Sequence, residues 1–158
     1  MTLKDYRKAL LTFINFPAWK NPVAVTLTLK HVFHSVAGSI RLTSNHAAKN
    51  VRHFFNRINR QYFGNASKRF GKRLQAISVL EVSREGRLHY HLLIDRPVHI
   101  DPIRFETDIR SIWKSTDWGY DQIHIDPNPD DGWIYYITKY SQKPEYADAI
   151  DYLNCHKA

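Results

Sequence analysis

At 158 residues, 43% hydrophobic and 13% aromatic, the chain is long enough to bury one substantial core and too apolar to stay disordered. Its 23 Lys and Arg against 15 Asp and Glu leave a formal charge of +8, which favours a polyanionic partner. The lone cysteine, Cys155, excludes an intrachain disulfide and a cysteine-built zinc cluster, and no apolar run approaches the roughly 18–20 residues that cross a bilayer.

The first residues mix acid and base and are unlike a secretory signal, so a reducing cytoplasm and no membrane partner are expected. Leu3, Tyr6, Leu10, Phe13 and Ile14 predict a short helix that ends before Pro17. Val23 to Lys30 alternates as a strand: Val23, Val25, Leu27 and Leu29 share one face, while Thr26 and Thr28 on the other are candidates for lining a site. Ser44 is the expected N-cap of a helix whose apolar stripe is Ala47, Val51, Phe54, Phe55, Ile58 and Tyr62. Lys49, Arg52, Arg57 and Arg60 cover its other side.

Gly64 to Lys72 reads as a basic loop. Leu74 to Val82 and Leu88 to Ile94 then read as a hairpin around Arg84-Glu85-Gly86. Asp101-Pro102 opens a helix with Ile103, Ile109, Ile112 and Trp113 as its apolar side. A short strand, Gln122 to Ile125, follows. Asp130 or Asp131 caps the next helix, and a last helical stretch is expected from about Glu145 to Leu153. The order strand, helix, strand, strand, helix, strand predicts an α+β fold with a central antiparallel sheet of split βαβ topology and flanking helices. The three strands preceding the Asp130 helix are expected at its centre. Without internal repeats or a linker, residues 1–158 read as a single domain.

His89 and His91 lie two apart on a strand, so both imidazoles leave one face. In a chain with nine histidines such a pair is commonly structural. Glu81 changes that: a three-residue hairpin loop pairs it with His89 and a five-residue loop pairs it with His91, and both registers put it on the histidine face. Two imidazoles and one carboxylate make an open site suited to Mn²⁺ or Mg²⁺ in phosphoryl transfer. On the helix that follows, Tyr136, Tyr140 and Lys143 share a face with Lys139 beside them, while Trp133, Ile134 and Ile137 face the sheet and Tyr135 points elsewhere. A tyrosine near an ammonium and a metal-bound phosphate is an activated nucleophile; alone, the same residues would make only a wet amphipathic face.

His89-Tyr90-His91 followed by Tyr136-Ile-Thr-Lys139-Tyr140-Ser-Gln-Lys143 resembles the HUH endonucleases of the replication-initiator type. The second motif is similar to the two-tyrosine pattern of phage gene A-type initiators. Thr26-Leu27-Thr28-Leu29 is similar to that family's first strand motif, and Glu81 stands where relatives carry a third ligand. The resemblance spans residues 23 to 143. It implies an HUH-type fold and a metal-dependent, site-specific single-strand DNA endonuclease and strand transferase with a 5′-phosphotyrosine intermediate. It further implies single-stranded or hairpin DNA at an origin as partner, in rolling-circle replication or transposition within a bacterial or phage-infected cell. Many family members continue into a helicase; here a host helicase is expected to unwind the DNA.

The basic helix (Lys49, Arg52, Arg57, Arg60) and the loop after it (Lys68, Arg69, Lys72, Arg73) are the expected DNA-binding residues. Two other classes compete. A non-catalytic nucleic-acid-binding module with a split βαβ sheet leaves the Glu-His-His-Tyr-Lys combination unexplained, and a metal nuclease that uses water would leave no protein on the DNA end.

Overall fold

A computed structural model describes residues 1–139 and 149–157. The alternating pattern at Val23 onward becomes β1 (Pro22–Leu29), and the hairpin becomes β4 (Ala76–Val82) and β5 (Leu88–Asp95). β6 (Gly119–Asp126) completes a four-stranded sheet of order β4-β5-β1-β6, every neighbouring pair antiparallel. This is the split βαβ order. β1 and β5 are central and β4 and β6 form the edges, so of the three strands preceding the tyrosine-bearing helix only β5 is central. The first strand takes the middle because it pairs with β5 on one side and β6 on the other.

A second, two-stranded hairpin, β2 (Val32–Ser35) with β3 (Gly38–Arg41), adds to the expected elements. Its strands are four residues each and largely exposed, too short and too polar to show a clear period.

Helices cover both faces of the large sheet. On one face, α2 (Ser44–Phe63) and α4 (Pro102–Lys114) pack Val51, Phe54, Ile58, Phe105, Ile109 and Trp113 against Val23, Val25, Leu27, Tyr90, Leu92 and Ile94. On the other, α1 (Leu3–Ile14) and α5 (Asp131–Ile137) bring Leu10, Ile14, Ile134 and Ile137 onto Ile77, Val79 and Leu93. Alternation along each strand sends consecutive residues to these two opposite layers. Trp113 ties α4 to β1, since its Nε1–H donates to Thr28 O at 2.9 Å. β6 begins directly against α4: a Cβ on Gly119 would lie 1.9 Å from the Trp113 carbonyl oxygen, so only glycine fits there.

Several local expectations shift. Thr43, not Ser44, caps α2; its backbone is extended and its hydroxyl accepts the His46 N–H, while His46 Nδ1 accepts the Thr43 N–H. Within the Gly64 to Lys72 loop, Ala66–Arg69 forms one helical turn, α3. Ile103 is 77% exposed, and Phe105 takes its place in the core. Phe105, Ile109, Ile112 and Trp113 recur at helical spacing, whereas Ile103, two residues before Phe105, falls on the opposite side.

The final stretch is not the helix expected over Glu145 to Leu153. Residues 145–148 lie outside the described residues, Ile150 bridges Val79, and Tyr152–Asn154 is a single 3₁₀ turn. Val79 and Ala76 on edge strand β4 form antiparallel bridges to Ile150 and His156, so the C-terminal segment covers an edge that would otherwise be open. No described helix is long and apolar enough to cross a membrane.

Candidate active site

The β4–β5 turn sets the site. Ser83 and Arg87 are joined through Ser83 N–H to Arg87 O at 2.8 Å, leaving the three-residue loop Arg84-Glu85-Gly86. Gly86 has φ +80°, the left-handed position that such loops require. This register pairs Glu81 with His89 and Val79 with His91. Glu81 and His91 are therefore diagonal neighbours on one face, within reach of long side chains.

The pairing brings three potential donors together. One ligand atom from each of Glu81, His89 and His91 lies within 4.8 Å of the others, and His91 Nε2 is 3.5 Å from Glu81 Oε2. Donors about 2.1 Å from a common ion sit roughly 3.0–3.4 Å apart, so small side-chain rotations would close this set on a cation. Glu81 and His91 are buried at 3% and 7% exposure, and a cation would balance that carboxylate in its low-dielectric surroundings.

The histidines are oriented from behind. His91 Nδ1 lies 3.1 Å from Thr26 Oγ1 on β1, and His89 Nδ1 lies 3.4 Å from the Arg87 carbonyl. When Nδ1 carries the proton and donates it to these oxygens, Nε2 is the ligating atom, an arrangement that fixes ring and tautomer together. Thr26 pairs directly with His91 across β1 and β5, so the threonine face anticipated for β1 does meet the site. The residues present thus fit a divalent ion held by two nitrogens and one oxygen.

Tyr136 stands beside this cluster. Its ring centroid is 5.9 Å from that of His91, nearly perpendicular, and the Trp133 ring approaches the same imidazole at 6.3 Å. Lys139 Nζ lies 3.7 Å from the centroid of the Tyr136 ring. Tyr136 remains 47% exposed, open to a substrate from solvent. Tyr135 is turned toward α1: Arg7 stacks over its ring at 4.9 Å and donates to its carbonyl at 2.8 Å. This use of Arg7 had no sequence signal, since it joins residues 128 positions apart.

The helical frame meant to carry all four Tyr and Lys residues is shorter than expected. α5 starts from Asp130, whose side chain accepts the Trp133 N–H, and ends at Ile137. Thr138 closes it by bonding its hydroxyl back to the Ile134 carbonyl at 2.8 Å. Lys139 follows the helix end, and Tyr140 and Lys143 lie outside the described residues.

The basic residues fall elsewhere. Lys49, Arg52, Arg57 and Arg60 on α2, with Lys68 and Arg69 on α3 and Lys72 and Arg73 after it, are all exposed. α2 packs on the Tyr90 and Leu92 face, so these charges lie on the side of the sheet away from Glu81, His89 and His91. Of the other acidic or imidazole groups on the strands, His124 shares the Thr26 face but is exposed on edge strand β6. Asp95 instead accepts the Asn21 and Lys20 N–H groups at the far end of β5.

An antiparallel α+β sheet with a carboxylate and two imidazoles clustered beside an exposed tyrosine defines a candidate metal-dependent enzyme. The model of one family, replication-associated protein ORF2/gene 2 protein, matches residues 22–145, more than three-quarters of the chain and inclusive of every residue of the cluster. The chain belongs to this replication-associated family. No curated protein and no solved structure matches it. α1 and the segment from Ala149 onward fall outside the matched span.

Proposed function

We propose that the protein is an HUH-type nicking and joining endonuclease that initiates replication by attacking single-stranded DNA with Tyr136. The observation that carries this reading is the placement of Tyr136 against His91, between the Glu81-His89-His91 cluster and Lys139. Membership of a replication-associated family supports it.

Glu81, His89 and His91 hold a divalent ion, Mn²⁺ or Mg²⁺, which when bound polarises a non-bridging phosphate oxygen and aligns the scissile group. Thr26 holds His91 in the ligating tautomer. Lys139 Nζ, set against the Tyr136 ring, favours the phenolate and offsets charge that builds on the phosphoryl oxygens. The phenolate oxygen bonds to phosphorus while the bond from phosphorus to the 3′ oxygen breaks. The tyrosine proton has left to solvent, the departing 3′ oxygen takes up a proton, and the products are a 5′-phosphotyrosine and a free 3′-OH. One phosphodiester is exchanged for another, so attack by the 3′-OH reverses the step and rejoins the strand.

On the sequence pattern, Tyr140 serves as the second nucleophile and Lys143 as a second charge stabiliser. The partners are single-stranded or hairpin DNA at an origin and a separate helicase. The test incubates end-labelled single-stranded DNA with protein and Mn²⁺, then seeks a denaturation-resistant adduct and maps it by mass spectrometry. The expected adduct is on Tyr136, lost in Tyr136→Phe/Tyr140→Phe. A product with a free 5′-phosphate and no attached protein would establish hydrolysis by water instead, and an adduct on Tyr135 would overturn the assignment.

A further inference from the structure

The basic residues and the candidate active site occupy opposite sides of the sheet, and the two sides differ in chemistry as well as place. Along α2, Lys49, Arg52, Arg57 and Arg60 follow one another at helical spacing, the first and last separated by a rise of roughly 16 Å. Two shallow hollows adjoin this row. One, of about 400 Å³, is lined by Arg57, Arg60, Lys68 and Arg73 with His53 and Asn56, and has no acidic residue in its lining. The other, of about 220 Å³, shares Arg73 and Asn56, adds Arg52 and His156, and has no acid in its lining either. A third hollow continues along Lys49 and His53, where Asp117 is the acidic member. The result is a continuous cationic belt with amide side chains interspersed.

Aromatics separate the two sides further. Single strands are held by stacking bases on exposed aromatic rings, whereas a duplex keeps its bases stacked on one another and offers chiefly phosphates. Tyr135, Tyr136 and Tyr152, at 57%, 47% and 50% exposure, belong to the side of α5 and α1. In the hollows of the belt the aromatic lining residues are Phe55 and Trp118, both buried. Phe70 is exposed beside Arg69 but lies outside those linings. The belt is thus equipped for phosphates and poorly equipped for unstacked bases.

We infer that the belt is a second DNA site, which holds the backbone of a double-stranded segment while the opposite side of the sheet handles the single strand. This rests on the proposed nicking function for its biological setting, but its physical basis is separate from the metal cluster and Tyr136. The belt lies beyond α2, at least a helix diameter of roughly 10–12 Å behind the sheet. A short single strand bound at Tyr136 therefore does not reach it, and a longer DNA must present a second segment.

The test measures affinity of the full chain for a 20-base-pair DNA duplex, a short single strand and an RNA duplex across a salt series. The variants are Arg57→Ala/Arg60→Ala/Lys68→Ala and the charge-conserving Arg57→Lys/Arg60→Lys. The triple Ala variant should lose at least about tenfold in DNA-duplex affinity at low salt, with the log–log salt slope reduced by roughly 0.9 per phosphate contact removed. The short single strand should lose several-fold less. The Lys variant should keep most duplex affinity, because a phosphate contact here needs charge more than a planar fork. His91→Ala should bind duplex as the wild type does, so an absent adduct in the nicking assay and an absent duplex effect would be separate results. Equal losses on single strand and duplex, loss in the Lys variant as large as in the Ala variant, or tighter binding of the RNA duplex would each overturn the proposal.

Discussion

On the α2 and α4 side of the sheet, Val25, Leu27, Tyr90, Leu92 and Ile94 are buried among other apolar residues; on the reverse, their strand neighbours Thr26, His89 and His91 join Glu81 in a polar cluster. The two sides use alternate residues of the same strands, so packing on one positions chemistry on the other. The reverse face is itself divided. Ile77, Val79 and Leu93 are covered by α1 and α5, while Glu81 and His89 lie toward the hairpin end. Burial without polarity holds the strands in register, and burial with polarity makes a site.

This division predicts separable effects. The largest concerns the polar side. His91→Ala, or Glu81→Gln with its shape retained, should lower nicking at least about a thousandfold, because the metal's charge stabilisation is worth several kcal/mol. Far-UV circular dichroism should be unchanged. A metal titration that still saturates in both variants would place the ion elsewhere. Next, Leu92→Ala on the opposite side should cost about 2–5 kcal/mol of stability through the cavity it leaves. Below its lowered melting temperature that variant should still bind metal; urea unfolding and metal titration together read the contrast.

A smaller effect tests the link between strands. Thr26→Val keeps the shape of β1 but removes the acceptor at His91 Nδ1, and should weaken metal affinity about 10–100-fold. Calorimetric titration with Mn²⁺ would detect it, and unchanged affinity would show that His91 is held by packing alone.

The least effect concerns pH and lies on the alkaline side. Burial pushes the Cys155 thiol up to about 11, and burial together with Asp151 raises the Tyr90 hydroxyl above its ordinary value. In the unfolded chain both groups lose their protons at lower pH than in the folded one. Stability from them is therefore fully present below about pH 9 and is lost as pH rises toward 11. Thermal melts between about pH 8 and 11 should show the fall, and Cys155→Ser should flatten its first part.

Family membership divides the molecule in another way. The matched span contains the sheet, the cluster and α5, but not α1 or the final segment from Ala149. Both of these pack in this chain against the Ile77, Val79 and Leu93 face. Their removal would uncover that apolar patch and the Val79 edge, so the matched core by itself loses part of the layer that supports Tyr136.

Local periodicity determined most of the fold. Alternation at Val23 onward, the hairpin turn and the Asp101-Pro102 cap are short-range signals, and each element formed where its signal stood. Parity likewise put Glu81, His89 and His91 on one face, because side-chain period two makes the face independent of a two-residue change in register. What local pattern does not contain is distance across the chain. Only the assembled sheet decided that β1 lies between β5 and β6, that Thr26 meets His91, and that Arg7 claims Tyr135 while Tyr136 turns to the cluster. It also decided that the basic helix lies behind the sheet, since a charge pattern marks a solvent face without saying which side of the molecule that face will be.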